Sequence, residues 1–190
     1  MSSKNTQDGF TGLEAAIVLI AFVVVAAVFS YVVLGAGFFT TQKSDEVVHT
    51  GVQQASSTLE IVGNVYGVGT SAGVRYVNFS VALAPGGTPV DFAKVVLTYS
   101  NTTMLTTLDQ TGGTYPTALP AEGSWGVTAI QSGNTDKLLE PGEQFTITLQ
   151  PLEVIPVNDK INVEVKPSIG AAFSVTRSTP GGLNVVNILY

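Results

Sequence analysis

The chain has no cysteine among its 190 residues, which excludes disulfides, thiolate metal sites and thiol chemistry. Its one histidine is His49. With a single imidazole, catalysis by His dyads or triads is almost excluded, and His49 on the polar flank of a helix reads as a packed or solvated residue. Charge is scarce too: 12% of residues are charged, with 8 Lys+Arg against 14 Asp+Glu and a net charge of −6. No basic cluster exists to neutralise phosphates, so nucleic acid is not an expected partner. Nothing resembles a nucleophile motif, a phosphate loop or a metal cluster, so neither an enzyme nor a cofactor is expected. The loop carboxylates Asp109, Asp136, Glu140 and Glu143 match no calcium-loop spacing and read as solvated turn residues, and no metal site is expected.

What the chain does have is a long apolar run near its N-terminus. From Ala15 to Gln42 there is no charged residue, and up to Phe39 Ser30 is the only strongly polar side chain. At helical rise, about 25 residues span about 37 Å, enough to cross a hydrocarbon core of about 30 Å with some tilt. Much of the run is Val and Ile, poor helix formers in water, but in lipid the backbone must bond internally. A polar leader, residues 1–9, precedes it and ends in Gly9 before Phe10. In a secretory signal the apolar region lies before the cleavage site and is discarded. Cutting between Gly9 and Phe10 would instead keep the apolar helix in the mature protein. Glu14 stands at the mouth of that helix, where a carboxylate costs free energy unless paired.

Beyond Thr41 the apolar residues thin to a stripe. Val48, Val52, Ala55, Leu59 and Val62 recur at heptad-type spacing, which predicts one helix over residues 10–62. Residues 63–73 hold four glycines, Gly63, Gly67, Gly69 and Gly73, and predict a helix stop with a flexible linker. Residues 74–190 predict β-structure. Val77, Phe79, Val81 and Leu83 alternate with polar or small residues, as do Phe145–Leu149, Ile161–Val165 and Phe173–Val175. Further strands are expected at Asp91–Ser100, Ser124–Gln131 and Leu183–Tyr190. Seven or eight short one-faced strands divided by Gly and Pro turns predict an immunoglobulin-like sandwich, with a small barrel as the other reading. The expected class is therefore α+β, a long N-terminal helix joined to an all-β head. Asn78-Phe79-Ser80 and Asn101-Thr102-Thr103 are N-glycosylation sequons, expected on exposed positions.

Three stretches together resemble the archaellins, the archaeal flagellins of the type IV pilin superfamily: the junction Gly9-Phe10 with its apolar helix, a class III signal peptide; the continuation over 40–63; and, in the head, 138–147 and 173–190. The resemblance implies a structural subunit of the archaellum filament that supports swimming. It implies residence in the cell membrane as a precursor, processing by a prepilin-type peptidase, and an extracellular filament with helices inside and sandwich heads outside. Its partners would be copies of itself, with or without paralogous archaellins. An archaeal adhesion pilin and a membrane-anchored, stator-like protein of the archaellum share these features and remain alternatives. For assembly we expect Glu14 to pair with the new α-amine of Phe10, in its own or an adjoining subunit, and so to set axial register; a Glu favourably placed at a helix start is the other reading.

Overall fold

The computed structural model describes the backbone from Asn5 to Tyr190 and the side chains of residues 12–55 and 57–190. A single helix, α1, runs over Asn5–Ser56. Every described side chain from Gly12 to Thr50 on it is exposed, Val, Leu, Ile and Phe included. Its stretch Gly12–Ala55 is long and apolar enough to cross a membrane, by length and composition. A helix that is apolar all round must be buried in lipid or in an assembly. Two of its threonine hydroxyls bond back along the helix, Thr40 Oγ1 to Ala36 O at 2.8 Å and Thr41 Oγ1 to Gly37 O at 3.0 Å. Those groups therefore need no partner from the surroundings.

The helix does not reach residue 62, and residues 63–73 are not a linker. It ends at Ser56, and β1 occupies Leu59–Thr70. Ser56, Ser57 and Thr58 are consecutive hydroxyl residues, whose side chains compete for the backbone. Ser57 Oγ takes the Gln53 carbonyl at 2.8 Å. Beyond them the β-branched Ile61 and Val62 favour a pleated surface. Of the expected heptad stripe, Val48 and Val52 stay on the helix and are exposed, whereas Leu59 is 4% exposed in the head core. The glycines serve β1 itself. Gly63 has φ +81 where the pairing of β1 slips between Val62 and Tyr66, a bulge that only glycine adopts without strain. At Gly67 a Cβ would meet Val74 Cγ1 at 2.9 Å and Leu189 Cδ2 at 3.0 Å.

The chain divides into two units, Met1–Thr50 and Gly51–Tyr190. In the second, β1 is followed by β2 (Gly73–Leu83), β3 (Val90–Asp91), a short 3-10 turn Phe92–Lys94, β4 (Val96–Ser100), β5 (Leu105–Gln110), β6 (Ser124–Gln131), β7 (Leu138–Leu139), β8 (Gln144–Gln150), β9 (Lys160–Lys166), β10 (Phe173–Ser178) and β11 (Val186–Leu189). Nine strands are joined in the order β10-β9-β4-β5-β6-β8-β2-β1-β11, and β3 pairs with β7. All pairings are antiparallel except β5 with β6, which is parallel and only two residue pairs long, Asp109↔Ser124 and Gln110↔Trp125. That short junction is the fold line between two halves whose inner faces share one core. Leu97, Tyr99, Val163, Val165 and Val175 come from one half; Val77, Phe79, Trp125, Phe145, Ile147 and Leu149 from the other. At the opposite margin Ser178 N donates to Tyr190 O at 2.6 Å and Tyr190 N to Ser178 O at 3.3 Å. The head is thus a sandwich clipped along both open sides.

The period-two expectation holds where it was clearest. Val77, Phe79, Val81 and Leu83 are buried while Asn78, Ser80 and Ala82 are half-buried on the other face, and Ile161, Val163 and Val165 alternate with Lys160, Asn162 and Glu164. Under the sheet Phe92 and Phe145 pack edge to face with ring centroids 5.1 Å apart, and Tyr115 meets Phe145 at 5.9 Å. Aromatic pairs of this kind add roughly 0.5–1.5 kcal/mol beyond the area they bury.

Candidate assembly and modification sites

The expected cleavage junction, Gly9-Phe10, lies within the backbone of α1. The side chains of both residues, like residues 1–4 of the leader, are outside the described residues. Glu14 follows on the same helix, one turn beyond Phe10, and is exposed. Four residues of separation place the two on one helix face, but any contact of Phe10 with Glu14 is also outside the described residues. His49 is exposed on α1. Among the described residues no three His, Cys, Asp or Glu side chains converge on a site able to hold a metal ion.

The two sequons occupy different settings, and neither asparagine is as exposed as the sequence suggested. Asn78 sits mid-strand in β2, paired with Tyr66 of β1 on one side and Thr148 of β8 on the other. Ladders on both flanks hold its backbone extended. Phe79, the middle residue of the sequon, is 1% exposed, and Ser80 Oγ is 3.1 Å from Thr146 Oγ1. The Asn78 Oδ1 atom is buried and has no hydrogen-bond partner.

Asn101 instead begins the turn between β4 and β5. Its Oδ1 accepts from Thr103 N (3.0 Å), Thr103 Oγ1 (3.0 Å) and Met104 N (2.8 Å), an Asx turn that the sequon sequence builds for itself. Its Nδ2 donates to Asp159 Oδ2 at 3.2 Å. The Asp159 carboxylate is 7% exposed and also accepts from Thr102 Oγ1 (2.8 Å) and Lys160 N (3.0 Å). A buried carboxylate needs such donors. Thr102 and Thr103 are exposed, so the sequon lies at an accessible turn.

Sequence reasoning missed the two acidic side chains that organise the loops. Asp159 carried no signal beyond a turn position. Glu143 was read as a solvated turn residue but is 6% exposed: its Oε1 accepts from Asn134 N at 3.1 Å and its Oε2 from Glu140 N at 3.0 Å. Its carboxylate is spent on backbone N–H groups and bridges the two ends of the loop between β6 and β8. Asp136 likewise bonds its own loop, accepting from Leu138 N at 2.8 Å.

The model of the archaeal-type flagellins matches residues 9–177. The chain belongs to that family. It is 40% identical over 208 residues to "Probable flagellin 1" of Archaeoglobus fulgidus, covering 100% of this chain and 98% of that protein. Among solved structures it is similar to the archaeal flagellum of Methanospirillum hungatei strain JF1, with a TM-score of 0.74 and 38% identity over 94% of this chain and 99% of that one. Flagellin FlaB1 of Methanocaldococcus jannaschii, at 16% identity and a TM-score of 0.59 over 69% of this chain and 95% of that one, shares the fold. Flagellins of this type are structural proteins. The match begins at Gly9, so the apolar helix and most of the head both belong to the family pattern.

Proposed function

We infer that the chain is the structural subunit of an archaeal flagellum, the archaellum filament, built by packing α1 of one copy against α1 of others and used for swimming. The observation that carries this is the agreement of helix and head together with the subunit of the Methanospirillum hungatei flagellum over 94% of the chain. The exposed apolar surface of α1 supplies the physical drive. Lipid and a helix bundle are both apolar, so entry into the bundle gains little beyond tight packing. Once in the extracellular filament, returning each buried aliphatic side chain to water would cost about 1.5–3 kcal/mol. Summed along the helix, that makes the filament core effectively irreversible. Ala26, Ala27, Gly35, Ala36 and Gly37 let neighbouring helices approach closely.

In this reading the precursor waits in the cell membrane with α1 in the bilayer. A prepilin-type peptidase removes residues 1–9, and the new α-amine of Phe10 meets Glu14 of its own or an adjoining subunit. A buried carboxylate without a partner is strongly unfavourable, so the pair selects one axial register. Of the two sequons, the reading favours Asn101 for glycosylation, because its turn is accessible and one Nδ2 hydrogen suffices for Asp159. Asn78, held between two ladders, is the less easily presented. Electron microscopy of filaments sheared from cells, with mass spectrometry of their subunit, tests the whole. Filaments made of this chain with Phe10 as first residue support it. A chain recovered only from membranes, with residue 1 attached, overturns it.

A further inference from the structure

On the half of the sandwich formed by β10, β9, β4 and β5, a polar groove begins at the Asn101 sequon. Its volume is about 340 Å³, and Ser100, Thr102, Lys160, Asn162 and Thr176 line it beside Asn101. Ser100 of β4 lies beside Asn162 of β9, and Asn162 beside Thr176 of β10. Three neutral polar side chains thus form one row across three strands. Thr176 Oγ1 donates to Asn162 Oδ1 at 3.0 Å, which leaves the Asn162 amide hydrogens turned to other use. Lys160 is exposed and forms no ion pair among the described residues. The carboxylate of Glu164 stands one row further along the sheet, beside Thr98 and outside the lining. At the head of the groove the Asn101 carboxamide is fixed at both ends. Its Oδ1 accepts three donors of its own turn and its Nδ2 gives a hydrogen to Asp159. Modification replaces the other Nδ2 hydrogen, so an attached sugar leaves the turn in a set direction.

We propose that the groove is a binding site for the glycan carried by Asn101: the first sugars fold back onto β4, β9 and β10 and hydrogen-bond to Ser100, Lys160, Asn162 and Thr176. This rests on the reading of Asn101 as the modified sequon. The occupant follows from the chemistry of the lining. Hydroxyls donate and accept, and the amide and ammonium donate, which is what a ring of sugar hydroxyls requires. The volume stands at the lower end of the range for small-ligand sites, about 300–1,000 Å³. Each hydrogen bond formed there replaces one to water, so its net gain is small and a free sugar is poorly held. A sugar already joined to Asn101 is different. Attachment by a short link gives an effective concentration on the order of millimolar, at which weak contacts suffice. The tether therefore selects the chain's own glycan over any ligand from solution.

The absence of native cysteine makes the test direct. Thr176→Cys, in the groove, and Gln131→Cys, on β6 in the other half of the sandwich, are introduced singly into the full chain. Each is made with the sequon intact and with Thr103→Ala, which abolishes it. Chains produced in the native cells are dissolved in detergent, so that no neighbouring subunit covers either position, and are treated with a bulky maleimide. Thr176→Cys is expected to label at least tenfold more slowly with the sequon than without it. Gln131→Cys is expected to label equally in both, which also shows that Thr103→Ala leaves the head folded. Intact mass is measured on the same samples. A chain modified at Asn101 whose Thr176→Cys labels at the same rate in both backgrounds overturns this inference alone. An unmodified Asn101 overturns the glycosylation reading and the inference with it.

Discussion

Asn101 donates its side-chain N–H to the buried carboxylate of Asp159, Nδ2 to Oδ2 at 3.2 Å. The link ties the β4–β5 turn to the loop that enters β9. One asparagine therefore serves two ends, closing its own turn through Oδ1 and anchoring a distant loop through Nδ2.

Removing the acceptor has a clear cost. Asp159→Ala leaves Thr102 Oγ1, Asn101 Nδ2 and Lys160 N without their shared partner, and is expected to destabilise the head by about 2–3 kcal/mol. Asp159→Asn keeps one acceptor oxygen and should lose less. Denaturant unfolding of the full chain in detergent checks both; an unchanged midpoint for Asp159→Ala refutes the role.

The glycine at 67 is expected to be irreplaceable for steric reasons. Gly67→Ala drives a methyl into Val74 and Leu189, and overpacking of this kind costs about 1–3 kcal/mol. Gly12→Ala is the control, since a Cβ there meets nothing within 4 Å. The same unfolding measurement should separate the two variants.

At the start of α1, Glu14→Gln is expected to leave processing intact and to lower filament yield at least tenfold. The amide keeps the shape but loses the charge that would meet the α-amine of Phe10. Immunoblots for the processed chain, with filament counts by microscopy, distinguish the two steps. Normal assembly would favour a carboxylate that serves only the helix dipole.

Alkaline pH provides a separate probe of the core. Burial pushes the Tyr115 hydroxyl up to about 12, against a hydrogen bond from Gln110 that lowers it. A folded value above the unfolded one means the phenol contributes stability that is complete below about pH 10 and is lost as pH rises toward about 12. Burial also pushes the Tyr99 hydroxyl up. Stability should fall across that window, and Tyr115→Phe should flatten the slope. Phenolate absorbance recorded alongside unfolding follows the step.

At the acid end the sign reverses. The Lys94 ammonium beside Asp91, with the Ala93 N–H, holds that carboxyl below its ordinary value despite some opposing desolvation. Its contribution is present above the unfolded carboxylate range and lost as pH falls through the folded value. Lys94→Met should remove that part of the acid dependence, measured as unfolding between about pH 5 and pH 2.

Much of this molecule is readable in one dimension. An uncharged run longer than a bilayer and the alternation of Val77–Leu83 or Ile161–Val165 are local patterns, because helix and strand periods are properties of consecutive residues. The boundary near residue 57 was not readable in that way. Leu59 and Val62 fit a heptad stripe as well as a strand, and the choice fell to the head core, which buries Leu59 and draws the chain into β1. The glycines of 63–73 look like a linker until β2 and β11 close on both sides, where Gly67 is needed for close approach and not for flexibility. Asp159 reaches partners as far as 58 positions away and Glu143 one 9 positions away, and the burial of Asn78 Oδ1 depends on the whole sheet. Burial is a sum over distant neighbours, so no local pattern carries it, and only the folded head sets which carboxylates are solvated and which hold loops together.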